Sequence, residues 1–165
     1  MSLITEKNNI NSEEHILVCL SAAPSNKKII DTATKMAEVL HARFTALYVQ
    51  TGTKAEAMDK ERLEEHIRYA EKLGAEIVMT HGENIPVQIA EYARLSNVTK
   101  IVIGQSNARR NHFFSKVTLT EKLIEIVPDI DIHIIPDTVK TGNYQKRSFT
   151  WYMEKPSRSE ERRVG

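Results

Sequence analysis

The stretch HILVCLSAAPSNKKIIDTATKMAEVLHARFTALYV, residues 15–49, decides the fold. It opens on a short continuous apolar run, 15–20, rich in branched residues, which marks a strand covered on both faces. Pro24 and Ser25 then break the chain, and Ser25 is placed to cap a helix. Ile29, Ile30, Ala33, Met36, Ala37 and Leu40 recur at spacings of three and four, which defines one apolar helix face. A second apolar run, 43–49, supplies the next strand. Its side chains alternate, so Phe44, Ala46 and Tyr48 share one face while Thr45 and Leu47 take the other. Both faces cannot meet one ligand. Phe44 and Thr45 therefore read as structural, and Tyr48, near the carboxyl end, as the residue closer to a site.

The same alternation continues downstream. Residues 55–73 read as a helix with Leu63, Ile67, Ala70 and Leu73 on one face and Gly74 as its stop. A strand over 75–80 follows, then a helix over 86–96 with Pro86 near its first position, where a missing N–H is harmless. Residues 98–104 form a fourth strand, 105–116 a long loop (QSNARRNHFFSK), 117–127 a helix and 130–135 a fifth strand. Apolar strands alternating with amphipathic helices predict an α/β fold: an open five-stranded parallel sheet with helices on both faces. In such sheets ligands bind beyond the carboxyl ends of the strands, where the strand order reverses. The domain spans 14–137, preceded by an N-terminal extension, 1–13. Beyond it, residues 138–165 lose the periodicity and read as a C-terminal tail or a partner-docking segment. Phe149, Trp151 and Tyr152 favour docking on this domain or on a second copy of the chain, a candidate homodimer.

With 165 residues and 41% hydrophobic side chains, the chain can bury one real core. Its net charge of +1 gives no global field for nucleic acid. Cys19 is the only cysteine and lies inside an apolar run, so it reads as a small core residue in a reducing, cytoplasmic setting. No apolar segment approaches the ~20 residues of a membrane helix, and residues 1–10 lack a signal-peptide core.

Catalytic chemistry finds no foothold. There is no G-x-x-x-x-G-K-[ST] loop, no G-x-G-x-x-G after the first strand and no G-x-S-x-G elbow. The six histidines are scattered without metal-ligand spacing; His15 and His133 fall within strands, and Glu64 and Glu65 beside His66 lack the second histidine of a zinc helix. The expectation is no catalytic residue, no metal and no cofactor. Binding features are clearer. The ends of strands one and four should share a rim carrying Ser21, Ala22, Ala23, Ser25 and Lys28 on one side. On the other stand Gly104, Gln105, Ser106, Asn107, Arg109, Arg110, Lys116 and Thr118. Small residues admit a ligand to the backbone, helix N-termini offer free N–H groups and arginine provides forked donors, a combination suited to phosphate. The solvated alternative for Lys27, Lys28 and the arginines is an exposed first turn and loop. For His112, Phe113 and Phe114 the choice is between loop anchoring and stacking on a base.

Four stretches carry a family resemblance: 16–49, RYAEKLGAEIV at 68–78, NIPVQIAEYARLSNVTKIVIGQSNARR at 84–110, and LIEIVPDIDIHIIP at 123–136. They resemble the universal stress protein domain of KdpD-type potassium-responsive sensor histidine kinases. The resemblance implies the strand order 3-2-1-4-5 and a regulatory, non-enzymatic domain whose partners are the other domains of a membrane-anchored kinase. ATP-binding stress proteins carry G-x-x-G-x₉-G-[ST] after strand four. Here Gly104 and Thr118 match, but Asn107 and Val117 replace glycines and restrict backbone approach. Some relatives bind cyclic di-AMP and carry S-x-S followed about twenty residues later by F-T-A-x-Y. FTALY, Phe44 to Tyr48, matches fully, whereas SAA, Ser21 to Ala23, lacks the second serine and Ser25 lies close by. The resemblance therefore implies cyclic di-AMP as ligand, modulating two-component control of potassium uptake. The alternatives are a nucleotide-free interaction module and an ATP-binding stress protein.

Overall fold

The computed structural model describes residues 13–54, 56–105 and 117–136. Strand β1, His15–Cys19, leads through a short loop to helix α1, Asn26–Leu40, and back to strand β2, Arg43–Gln50. Helix α2, Ala57–Lys72, strand β3, Glu76–His81, helix α3, Ile85–Leu95, and strand β4, Lys100–Gly104, follow. Helix α4, Leu119–Ile126, and strand β5, Asp131–Ile135, complete the described chain. All five strands are parallel, in the order β3-β2-β1-β4-β5, as expected.

Strand alternation divides the core into two layers. Leu17, Cys19, Leu47, Ile101 and Ile103 face α3 and α4, where Ile89, Ala90, Ala93, Leu119 and Leu123 cover them. Ile16, Val18, Ala46 and Val102 face α1 and α2, under Ile29, Ile30, Ala33, Ala37 and Ala70. Central β1 is buried along its whole length because it has a neighbour on each edge and a helix layer on each face. Cys19 is one of its core residues, and burial pushes its thiol up to about 12, which suppresses the reactive thiolate.

The helix ends follow local chemistry. α1 stops where His41 turns left-handed (φ 49°), and its N–H returns to Ala37 and Glu38. Gly74 takes φ +92° after α2, a conformation suited to glycine. Asn84 caps α3 by accepting the Val87 N–H. Ser25 occupies the capping position of α1, but its side chain does not cap the helix, contrary to expectation. Its backbone is already helical (φ −72°, ψ −8°) instead of extended, which takes it out of the usual capping geometry.

Candidate functional site

From β1 the chain steps outward through β2 to β3, then crosses back to β4 on the other side of β1. The reversal lies between β1 and β4, which is where such sheets open a crevice. Ile16, Leu17 and Val18 pair with Lys100, Ile101 and Val102. The same register carried two residues further sets Leu20 level with Gly104. The β1–α1 loop and the start of the β4 connection therefore share a rim, as the sequence suggested.

On that rim Ser21, Ala22, Ala23 and Ser25 are half-buried, Gly104 is buried and Gln105 is half-buried. Tyr48 is half-buried near the carboxyl end of β2, on the α1/α2 side, and packs against that layer with Phe44. Lys28 is exposed, and its ammonium donates to the carbonyl of Pro136 at 3.3 Å, just beyond β5. Thr118 caps α4. Its hydroxyl accepts the Glu121 N–H and donates to the Glu121 carboxylate, which also accepts the Thr118 N–H at 2.7 Å. Those bonds hold the Glu121 carboxyl below its usual range. Ser106, Asn107, Arg109, Arg110 and Lys116 lie outside the described residues.

Three rim residues had no sequence signal. Asn26, the first residue of α1, is fully buried. Its Oδ1 accepts the Ser21 N–H at 3.3 Å, while its Nδ2 is a buried donor without a partner among the described residues. An unmatched buried donor costs about 1–3 kcal/mol. The other two come from α2. His66 Nδ1 donates to the Ser21 carbonyl at 2.8 Å, and Arg62 Nη1 donates to the Ala22 carbonyl at 3.1 Å. In a trans peptide the C=O and the following N–H point in opposite directions. Holding these two carbonyls toward α2 therefore turns the N–H groups of Ala22 and Ala23 away from it. The Ala23 N–H is taken by Ser21 Oγ at 3.3 Å. Among the described residues no group of three histidine, cysteine, aspartate or glutamate side chains comes together to hold a metal.

The parallel order, reversing between β1 and β4, is that of a doubly wound α/β domain, and its likeness to solved structures gives it the universal stress protein fold. A universal stress protein family structure from Burkholderia pseudomallei superposes with a TM-score of 0.56 at 18% identity, covering 77% of this chain and 98% of its own. Another, a universal stress protein solved in complex with cAMP, gives 0.52 at 17% identity, with 75% and 97% covered. No family model matches the sequence. The sensor protein KdpD of Clostridium acetobutylicum is 42% identical over 130 residues, 77% of this chain. The chain spans 14% of that protein's length. The chain belongs to the universal stress protein domains of the KdpD sensor-protein family. No helix among the described residues is long and apolar enough to cross a membrane.

Proposed function

We propose that this domain is a regulatory nucleotide sensor that binds cyclic di-AMP and, within a KdpD-type sensor kinase, modulates two-component control of potassium uptake. The observation that carries the reading is the Asn26 amide, a buried donor without a partner among the described residues, at the loop where the strand order reverses. A polar ligand seated on this rim can supply the missing acceptor. In this reading one phosphodiester meets the Ser21–Ser25 loop and Arg109 or Arg110, and an adenine lies toward Tyr48. The complete FTALY stretch supports it, as does the cAMP held by a structural neighbour of the same fold. The domain performs no chemistry itself; ligand occupancy alters its contacts with the rest of the kinase.

Isothermal calorimetry with cyclic di-AMP, cyclic di-GMP and ATP tests the proposal. Saturable binding of cyclic di-AMP alone is the expected result. Absence of binding by all three would turn the reading toward a nucleotide-free docking module. Tight, Mg²⁺-dependent binding of ATP would make the domain an ATP-binding stress protein. Val117 in place of glycine and the engagement of the Thr118 hydroxyl in a helix cap weigh against that last outcome.

A further inference from the structure

An open cleft lies between the first turn of α1 and the middle of α2, beside the rim residues. Its volume is about 390 Å³, and it is lined by Pro24, Lys27, Arg62, Glu65, His66 and Tyr69.

The charges in the cleft are incompletely matched. The Lys27 ammonium stands 4.8 Å from the centroid of the Tyr69 ring, and no carboxylate pairs with it among the described residues. α1 has no acidic residue in its first turn, so this cation stands against the positive end of the helix dipole. Arg62 uses Nη1 for the Ala22 carbonyl and for a longer 3.7 Å approach to Asp59. The rest of its guanidinium makes no bond among the described residues. Tyr69 is fixed by donating its hydroxyl to Asp31 at 2.5 Å, and exposed Glu65 adds an acceptor to the same wall. His66 has its Nδ1 committed to the Ser21 carbonyl.

Pro24 and Lys27 join this cleft to the Ser21–Ser25 loop. A mononucleotide needs one site for a base and its phosphate. A cyclic dinucleotide carries two of each, locked in a ring, and protein beside the rim is where its second half can rest. We infer that this cleft is the second subsite, taking one adenosine phosphodiester half of the ligand. Lys27 and Arg62 meet the phosphodiester, Pro24 and the Tyr69 ring border the base, and Glu65 accepts from its exocyclic amine. The inference rests on the cyclic di-AMP reading above.

The test is cyclic di-AMP titration of the full chain, read by calorimetry and by side-chain NMR signals of Tyr69 and His66. Lys27→Met keeps the aliphatic stem over Tyr69 and removes the charge; Lys35→Met removes an equal charge from an exposed position further along α1. The expected result is at least five-fold weaker binding for Lys27→Met, no change for Lys35→Met, and shifts of the Tyr69 and His66 signals on titration. Binding of equal strength in wild type and Lys27→Met, with the Tyr69 and His66 signals unmoved, would overturn the subsite and leave the rim reading standing. An equal loss in both variants would also overturn it, since charge alone would then explain the effect. Wild type that binds no cyclic di-AMP would remove the subsite and the parent reading together. Thermal melts of each variant separate a binding loss from a folding loss.

Discussion

The imidazole of His15 and the hydroxyl of Thr45 meet at 2.8 Å inside the core, across the β1–β2 pair. Both residues are 1% exposed. The other ring nitrogen, Nδ1, lies 2.8 Å from the Ser96 carbonyl, which can only accept. Nδ1 therefore donates to that carbonyl, and in the neutral ring Nε2 is left to accept from Thr45. This arrangement joins β1, β2 and the end of α3 at the amino-terminal edge of the sheet, away from the rim at the strands' carboxyl ends. Thr45 thus has a structural reason to be present in FTALY. Tyr48, three residues on, lies on the opposite face near the carboxyl edge.

Thr45→Val keeps the shape of the side chain and deletes the donor. The buried Nε2 then loses its partner, and stability should fall by about 1–3 kcal/mol. Thr45→Ser keeps the hydroxyl, so it should recover the hydrogen-bond part of that loss. Urea denaturation of the three proteins checks the order wild type, Ser, Val. Equal midpoints for Val and wild type would show that the bond contributes nothing net.

Much of the architecture was readable from residue order. Runs such as ILVCL and IVIG are apolar on both alternating faces, as a strand covered from two sides requires. The division between Thr45 and Tyr48 followed from strand geometry alone. The polar frame of the site was not readable. His66 reaches Ser21 across 45 residues and Arg62 reaches Ala22 across 40, and neither bond leaves a periodic trace. Glu64, Glu65 and His66 in sequence suggest only a metal motif to be excluded. Asn26 was hidden for a related reason. Beside Ser25 it looks like the first residue after a cap, yet its side chain turns back to bind the Ser21 N–H.

The α2 side chains that hold the rim loop make a separate prediction. His66→Phe fills the same space without a donor, whereas His66→Asn can present an amide N–H near the position of Nδ1. Phe should therefore leave the Ser21 carbonyl unpaired, speed hydrogen exchange at the Ala22 amide and weaken cyclic di-AMP binding several-fold. Asn should restore much of both. Hydrogen-exchange rates and calorimetry on the two variants supply the comparison. If Asn and Phe behave alike, His66 acts through packing and not by orienting the loop.

The capping box of α4 gives a dependence on pH. The backbone and hydroxyl bonds from Thr118 hold the Glu121 carboxyl below its ordinary range. A group with a lowered folded pKa stabilises the fold fully above its unfolded value, about 4.3 for glutamate. That contribution disappears as pH falls from there through the lower folded value. Glu121→Gln keeps a neutral side chain that still bonds to Thr118 and so stands in for the protonated acid. Wild type should be more stable than Glu121→Gln at pH 6, and the gap in urea midpoint should close as the solution is acidified through the glutamate range. The remaining carboxylates titrate in both proteins and cancel from the difference. A gap that stays constant on acidification would show that the carboxylate charge gives the cap no advantage over a neutral amide. A closing gap would tie the seating of α4, the helix that follows the 105–116 connection, to a single ionised side chain.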